Sequence, residues 1–339
     1  MMITSKRLVY KTLDFENPCR VPRQLWKLPW AEIHYRDELN RIMQLFPDDI
    51  IRPKGFERTA KQVDQEERYR VGEFCDHWGC KFTNIEPGIH GEVKEPLIKE
   101  AGWQDWDANC IPHEMKDIDK AEINRFCRST DRFVISGANP HPFERLQFLR
   151  GSEQLLVDLA LKPAGMFDTL RTIHSYYCEL LNEWGQTEVD ALMIVDDWGS
   201  QTNLLISPST WVEIFKPLYK DYINIAHQHG KKIFMHSDGN ILAIFPHLID
   251  LGLDAINSQI FCMGLDKLKE FRGSISFWGE VDRQYLLPYA TSAEVEAAVI
   301  AIKDNLWANG GCIAQCEFGP GANPENVTKV FETWEKLSV

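Results

Sequence analysis

The sequence has no long uninterrupted apolar run. No stretch of its 339 residues approaches the roughly 18 consecutive apolar residues that a membrane-spanning helix needs. The opening segment, MMITSKRLVYKTLDFENP, also lacks the apolar core of a secretory signal peptide. We therefore expect a protein that does not enter the membrane and that works in the cytoplasm.

The sequence has too few basic residues to balance its acidic ones. Its formal net charge is -13 and its pI is about 5.3. A field of this sign does not attract nucleic acid or an anionic membrane surface. The content of 44% hydrophobic and 26% charged residues is typical of a globular protein with a large core. This composition favours an enzyme that acts on small molecules.

Paired cysteine motifs are also scarce. The nine cysteines are an odd number scattered over a long chain, which excludes a disulfide-rich scaffold. Cys75 and Cys80, in FCDHWGC, have four residues between them, and no CxxC motif accompanies them to complete a structural zinc knuckle. We expect most of the cysteines to be reduced and buried.

The Gly-rich fingerprint GxGxxG follows none of the predicted strands, which argues against a dinucleotide-binding open sheet. From about residue 130 onward, short apolar runs alternate with helical stretches such as 142–162 and 164–185, which is typical of a parallel sheet. The predicted strands are RFVISGA (132–138), ALMIVD (191–196), KKIFMH (231–236), LDAIN (253–257), SISFWG (274–279) and CIAQC (312–316).

Two further strands are predicted upstream. RQLWKL (23–28) and DIIRP (49–53) flank a helical stretch at 31–46. Eight strands predict an α/β protein with a (β/α)8 TIM barrel, and the alternative is an open doubly wound sheet. Residues 66–125 show no βα pattern and are interpreted as an N-terminal insertion with hairpins. The sequence therefore predicts one barrel domain over residues 1–339, with an irregular insertion at about 66–125.

One helix carries clear start signals. Ser207 is the predicted N-cap and Pro208 occupies the first helical position. Apolar residues then recur every three or four positions as far as Gly230. Pro217 is expected to kink this helix, because proline cannot donate the backbone hydrogen bond of a helix interior.

Polar side chains follow nearly every predicted strand. Because active sites of barrels lie at the carboxyl ends of the strands, we expect these side chains to meet at one mouth. They are Asn139, Asp196, Asp197, His236, Asp238, Asn257, Gln259, Glu280, Cys316 and Glu317.

Acid–base chemistry is assigned to Asp196, Asp197 and Glu280, and substrate binding to Asn139, Asn257 and Gln259. One of the two aspartates is expected to cap a helix instead, and Glu280 has a structural alternative as an ion-pair partner of Arg283.

The segment KKIFMHSDGN places His236 and Asp238 two positions apart, so that both point to one face of an extended strand. With a thiolate from Cys316 they would make a mixed N/O/S site that suits Zn²⁺ and leaves one position open. Glu317 replaces Cys316 as ligand if the strand ends early, whereas Cys312 is expected to lie deeper, in the core. The alternative without metal is a histidine that is hydrogen-bonded to a neighbouring carboxylate.

The region from VDDWGSQ to DAINSQ resembles the central part of the uroporphyrinogen decarboxylase superfamily, especially its methylcobamide-dependent methyltransferase branch. The elements DD-x-G-x-Q, S-P, K-P-x-Y-K, H-x-x-G-N and P-E-N-V occur in order over roughly residues 130–339. The resemblance implies a (β/α)8 barrel and places Gln201, which ends the first element, at the substrate. It also allows a homodimer.

The resemblance implies two chemistries. Decarboxylases of the family use no cofactor, and hold an acidic tetrapyrrole with an R-Q-x-x-R segment and an aspartate. In the methyltransferases, zinc bound by H-x-C and a distant cysteine serves methyl transfer through a corrinoid protein. Here RQLWKLP matches the first segment loosely, with Arg23 as the remaining substrate-binding arginine, and Asp238 stands where the second branch has its first cysteine.

An oxygen ligand in place of sulfur leaves more positive charge on the metal, which favours Lewis-acid activation of an ether, alcohol or amine. We therefore predict a zinc-dependent methyltransferase that moves a methyl group between a small methylated substrate, or a thiol, and a cobalamin-type corrinoid on a partner protein. One alternative is a cofactor-free decarboxylase of a porphyrinogen-like or smaller acid that depends on Arg23 and Asp196. Another is a non-enzymatic corrinoid- or tetrapyrrole-binding protein.

Overall fold

The structure is a computed structural model that describes residues 3–53, 67–99 and 102–337. Its strands are β1 (Arg23–Lys27), β2 (Ile50–Ile51), β3 (Gly72–Cys75), β4 (Lys81–Asn84), β5 (Glu92–Glu95), β6 (Phe133–Val134), β7 (Ala191–Val195), β8 (Lys232–Ser237), β9 (Ala255–Ser258), β10 (Ser276–Trp278) and β11 (Cys312–Phe318).

The α-helices are α1 (Ser5–Leu13), α2 (Pro29–His34), α3 (Arg36–Leu45), α4 (Lys120–Arg128), α5 (Pro142–Arg150), α6 (Ser152–Leu161), α7 (Ala164–Gly185), α8 (Pro208–Thr210), α9 (Lys216–Gln228), α10 (Phe245–Leu251), α11 (Ile260–Met263), α12 (Leu265–Leu268), α13 (Leu286–Tyr289), α14 (Ser292–Leu306) and α15 (Pro324–Lys336). Short 3₁₀ turns lie at Glu67–Tyr69, Trp103–Asp105, Ala108–Cys110, His113–Lys116, Leu242–Ile244 and Lys269–Phe271, and a π-helical turn at Trp211–Phe215. None of the described helices has both the length and the apolar character that a membrane crossing needs.

Six parallel strands form one sheet in the order β1-β11-β10-β9-β8-β7, and β2 pairs with β6 in a second parallel sheet. A parallel bridge between Ile135 and Ala191 links the segment after β6 to β7. All eight strands predicted outside the insertion are present, so the α/β class with a parallel sheet is confirmed. The larger sheet curls into a half-barrel.

The two faces of the curled sheet bury different sets of side chains, because successive residues of a strand point to opposite sides. We call the inner side the concave face and the outer side the helix face. The concave face holds an apolar cluster that includes Ile50, Phe133, Ile135, Ala191, Met193, Phe234, Ala255, Trp278 and Ile313. The helix face and the helices that cover it form a second and larger core.

Helix α1 closes the amino end of the curled sheet. Its residues Val9 and Leu13 pack into the concave cluster. The backbone N–H of Gly311, just before β11, donates to the carbonyl of Thr12 at 2.9 Å. The N–H of Lys6 donates to the carbonyl of Asp131 at 2.8 Å. The carboxyl ends of the strands therefore form the open side of the concave face.

The described part of the predicted insertion, 67–99 and 102–125, contains the antiparallel sheet β3-β4-β5, in accord with the predicted hairpins. It is joined to α5 through Arg145, whose Nη1 lies 2.7 Å from Asp76 Oδ2. The Arg145 guanidinium also lies 4.5 Å from the centre of the Trp78 ring. The insertion is therefore packed against the helices by a buried cation.

Two predicted helices are interrupted where the backbone requires it. The stretch predicted at 142–162 divides into α5 and α6 at Gly151, whose φ of 82° cannot continue a right-handed helix. The helix predicted from Ser207 starts as expected, with the Ser207 hydroxyl accepting from the N–H of Thr210 at 3.1 Å. The expected disturbance near Pro217 takes the form of the π turn Trp211–Phe215, since Pro217 has no N–H to continue the ladder.

Candidate functional site

The concave face continues past the carboxyl ends of β7 and β8 as a group of polar residues. Asp197 follows Met193 by four positions and His236 follows Phe234 by two, so both continue the concave side of their strands. Asp238 lies two positions after His236 on the same side. The side chains of Asp197, His236 and Asp238, the triad, therefore converge at the open end.

The triad has the spacing of a metal-binding group. One ligand atom from each of the three residues lies within 4.8 Å of the others. His236 Nε2 is 3.6 Å from Asp197 Oδ1 and 3.8 Å from Asp238 Oδ1. The backbone N–H of Asp238 also donates to Asp197 Oδ1 at 2.9 Å, which holds the two strand ends in register. Within the described residues, no other group of three or more potential metal ligands has so close a spacing.

Asn257 sets the orientation of the His236 ring. The Asn257 amide nitrogen donates to the carbonyl of Trp278, which turns the amide oxygen toward His236. His236 Nδ1 then donates to this oxygen over 2.6 Å. Nδ1 therefore carries a proton toward Asn257, and Nε2 faces the two aspartates. The indole of Trp26 covers the imidazole, with 5.1 Å between ring centres.

Arg283 joins three carboxylates beside the triad. Its guanidinium pairs with Asp238 Oδ2, lies 3.2 Å from Glu317 Oε1 and lies 3.5 Å from Glu280 Oε1. Glu317 reaches the concave face because it pairs in register with Trp26 across β1 and β11. The predicted pairing of Glu280 with Arg283 is thus part of the site.

Glu280 is almost completely buried, with 1% of its surface exposed. Neither of its carboxylate oxygens has a hydrogen-bond donor within the described residues. Burial raises the pKa of Glu280 well above its usual value, and the nearby charge of Arg283 opposes this effect. Burial therefore favours the protonated form of this carboxyl group.

A cavity of about 180 Å³ adjoins the triad on the β9 and β10 side. Its lining includes Gln201, Gln259, Phe261, Glu280, Arg283 and Tyr285. Gln259 donates to Asp238 Oδ1 at 3.4 Å, and Gln201 donates to Gln259 at 3.5 Å. The two predicted substrate-binding glutamines thus connect the cavity to the triad. Asn139 lies on the β6 side, where its amide oxygen accepts from Arg52 at 3.3 Å.

The catalytic assignment of Asp196 is wrong. Asp196 points to the helix face and is fully buried. Its oxygens accept the N–H groups of Phe143 at 3.1 Å and Glu144 at 2.9 Å, which are the first orphan donors of α5, and the hydroxyl of Tyr219 at 2.9 Å. Burial raises the pKa of Asp196 to about 8. It caps a helix, as predicted for one of the two aspartates, but the helix precedes β7 in the chain.

The assignment of Cys316 as a metal ligand is also wrong. Cys316 is fully buried, pairs in register with Leu25, and belongs with Cys312 to the core on the helix face. Burial raises the pKa of both thiols, so neither offers a thiolate. β11 runs on to Phe318, and the neighbouring Glu317 occupies the concave face instead.

Arg23 is not at the site, in contrast to its predicted role in substrate binding. It lies at the amino end of β1, opposite Ala314. Its guanidinium donates to the carbonyl of Pro47 at 3.2 Å and lies 3.5 Å from Glu335. It anchors the start of the strand to α15.

Two charged residues of the site were missed from the sequence. Glu144 lies in the first turn of α5, where burial and the charges of Asp197 and Asp196 raise its pKa well above the usual value. Arg52 follows β2 and reaches the concave face. Arg52 stands near the end of the predicted strand DIIRP (49–53), where polar residues of other strands were chosen, but Glu144 belongs to a helix and carries no such signal.

The sequence model of uroporphyrinogen decarboxylase (URO-D) matches residues 79–337, which is most of the chain. The chain belongs to the uroporphyrinogen decarboxylase family. The predicted resemblance to this superfamily is therefore confirmed. No curated protein is matched by the sequence.

Among solved structures, a methyltransferase from Methanosarcina mazei matches 100% of this chain and 100% of its own, with a TM-score of 0.69 and 13% sequence identity. A B12-independent methionine synthase from Shewanella sp. W3-18-1 matches 91% of this chain and 87% of its own, with a TM-score of 0.47 and 10% identity. The match to the Methanosarcina methyltransferase shows a shared fold.

Proposed function

We propose that the protein is a zinc-dependent methyltransferase that moves a methyl group between a small methylated substrate and a corrinoid carried by a partner protein. The observation that carries the proposal is the triad, in which His236 Nε2 faces two carboxylates beside a cavity. The triad lies at the carboxyl ends of parallel strands, which is the location of the active site in enzymes with a (β/α)8 barrel. Methyl transfer is favoured by the fold shared with a methyltransferase.

We also propose that the eight parallel strands close into a complete (β/α)8 barrel within one domain. Side chains from all eight strands meet in the concave cluster, with Trp26 supplied by β1. The N–H of Asp49 donates to the carbonyl of Arg23 at 2.8 Å, which connects β2 to β1. The bridge between Ile135 and Ala191 connects the other side.

The residues present fit a zinc ion. One imidazole nitrogen and two carboxylate oxygens are ligands that zinc accepts, and a catalytic site needs three such ligands with one position left open. Asp197, His236 and Asp238 would hold the ion, and Glu317, which shares Arg283 with Asp238, could complete or replace the set. Zinc would supply a Lewis acid that polarises the heteroatom carrying the methyl group.

Residues around the triad would bind the substrate and handle the proton. Gln201 and Gln259 present amide groups to the cavity, and Phe261 provides an apolar wall. When the methyl group leaves as a cation equivalent, the electron pair of the broken bond stays on the heteroatom of the substrate. Glu280 lines the same cavity, and in its protonated form it would donate its proton to that heteroatom.

The proposal is tested by metal analysis and by methyl transfer. Wild-type protein should hold about one zinc per chain, and His236→Ala should hold none. Reduced cobalamin with a panel of methyl ethers and methylamines should give the absorption spectrum of methylcobalamin only with the zinc-loaded protein. If chelated protein does not rebind stoichiometric zinc, the proposal fails.

The two alternative functions have no specific support from the described residues. A cofactor-free decarboxylase was predicted to depend on Arg23 and Asp196, and the structure places both away from the concave face. Decarboxylation that persists after chelation would nevertheless replace the proposal. Binding of a corrinoid with a spectral change but without turnover would indicate a non-enzymatic binding protein.

A further inference from the structure

Arg52 extends its side chain into the concave face. It follows β2, and its guanidinium contacts the sulfur of Met193 on β7. Its Nη1 donates to the Asn139 amide oxygen at 3.3 Å. Met193 is 1% exposed and belongs to the concave cluster. The Arg52 cation therefore lies inside the open end of the concave face, against β7. Asp197 follows the same strand, closer to the opening.

Arg52 differs from the other shielded arginines in its partners. Arg145 pairs with Asp76 and Arg150 with Asp158, each at 2.7 Å, and Arg283 pairs with three carboxylates. Within the described residues Arg52 contacts no carboxylate, and burial alone lowers its pKa to about 10. Arg52 is partly buried, and a shielded guanidinium without a counter-charge is costly, a cost that a bound anion would offset.

Asn139 provides a second donor at the same point. Its amide oxygen is occupied by Arg52, so its amide nitrogen faces away from the guanidinium bond. No hydrogen bond uses this nitrogen within the part of the chain that the structure describes. A carboxylate can accept one hydrogen bond from the guanidinium and another from the amide N–H beside it, one with each oxygen.

The distance between Arg52 and the triad sets the length of a ligand that contacts both of them. Met193 and Asp197 lie on the same side of β7, four residues apart, which corresponds to roughly 13 Å along a strand. Arg283 already pairs with Asp238, Glu280 and Glu317, whereas Arg52 contacts no carboxylate within the described residues, so an anionic group is attracted to Arg52. A ligand with one anionic end has one favourable orientation.

We propose that Arg52 and Asn139 form an anion subsite that binds the carboxylate of a small methylated carboxylic acid, with the methyl-bearing heteroatom of that acid at the triad. The identity of the bound acid as a methyl donor or acceptor rests on the proposed methyltransferase function. The binding of the carboxylate itself does not.

The test compares acids with neutral analogues of equal length. Binding of 3-methoxypropanoate and 5-methoxypentanoate is measured by calorimetry, with 3-methoxypropan-1-ol and 5-methoxypentan-1-ol as the neutral partners. Wild-type protein should bind 5-methoxypentanoate at least 10-fold more tightly than its alcohol. Arg52→Gln should remove this preference, Arg52→Lys should retain part of it, and Arg23→Gln should retain all of it, because Arg23 lies at the amino end.

Thermal unfolding separates a binding role from a structural one. Because Arg52 contacts no carboxylate in the part of the chain that the structure describes, Arg52→Gln should keep or raise the melting temperature of the free protein. Equal binding of acid and alcohol by the wild type, or a lower melting temperature with unchanged acid binding in Arg52→Gln, would overturn the proposal. Arg52-dependent binding of inorganic phosphate that is 10-fold tighter than that of either acid would overturn the carboxylate assignment. Calorimetry measures binding and needs no methyl transfer. The anion subsite can therefore be tested even if the proposed methyltransferase function fails.

Discussion

Asp196 and Asp197 are neighbours in the sequence but face opposite sides of the sheet. Asp196 lies under the start of α5 and accepts hydrogen bonds from Phe143, Glu144 and Tyr219. Asp197 lies on the concave face, 3.6 Å from His236 Nε2. At adjacent positions of one strand end, Asp196 therefore stabilises the fold and Asp197 belongs to the triad.

Replacing each aspartate by asparagine should therefore affect a different property. Asp196→Asn should lower the free energy of unfolding by about 1–2 kcal/mol, because an amide cannot accept all three donors. Its zinc affinity should stay within a few-fold of the wild type. Asp197→Asn should unfold like the wild type and lose at least about 100-fold in zinc affinity, beyond the loss typical of a residue that only orients a ligand. Urea unfolding and chelator competition measure the two effects, and an exchange of the two phenotypes would refute the assignment.

Asn257 should control zinc affinity without touching the ion. Asn257→Leu removes the acceptor that holds the proton on His236 Nδ1, so the imidazole loses its fixed tautomer and orientation. We expect the zinc affinity to fall roughly 10–100-fold. Asn257→Asp keeps an acceptor at this point and should retain most of the affinity. Competition with a chromophoric chelator gives both values, and equal losses in both variants would contradict the orienting role.

Arg283 should compensate for the charge of the carboxylates when zinc is absent. In Arg283→Met, Asp238, Glu280 and Glu317 lose the cation they share, and the metal-free protein should unfold with about 2 kcal/mol less free energy. Zinc should then raise the melting temperature by more than it does in the wild type, because the metal replaces the missing charge. A smaller zinc-induced increase than in the wild type would show that Arg283 supports metal binding instead.

Asp48 should make the stability of the protein depend on pH. Burial raises the pKa of Asp48 to about 6 from 3.8, although its side chain accepts the N–H of Leu25 at 2.8 Å. The unfolded chain ionises first as pH rises, so Asp48 reduces stability progressively between about pH 4 and 6, by at most about 3 kcal/mol. Below pH 4 the contribution vanishes.

Asp48→Asn keeps the acceptor for Leu25 and has no proton to lose. Urea unfolding at pH 4 and pH 7 should show that the variant is the more stable protein at pH 7 and equal to the wild type at pH 4. A constant difference between the two proteins at both pH values would exclude the ionisation of Asp48 as its cause.

The strands and the location of the site were predictable from the sequence, because βα alternation and polar strand ends are local patterns. The side on which each residue points was not. A strand buried on both faces, such as CIAQCEF, is apolar at nearly every position and shows no alternation that distinguishes the concave side. The choice between Cys316 and Glu317 therefore depended on the end and phase of β11, which only the pairing with β1 determines.

Long-range partners were equally out of reach. Asp196 caps a helix that precedes it by about 50 residues, and the sequence offered only the segment that follows it. Arg23 was taken from a family pattern whose second arginine is missing here, and the structure gives it a role at the opposite end of the strand. Arg52 lies within the predicted strand DIIRP (49–53), and the observed strand ends one residue before it, at Ile51.

Helix α1 seals the amino end of the concave face with Val9 and Leu13. Under the proposed function, the small substrate and the much larger corrinoid protein then share one entrance. The substrate has to enter first, because a docked partner would cover the way in. Initial-rate kinetics should accordingly be ordered, and an excess of the partner protein should inhibit turnover by occupying the empty enzyme.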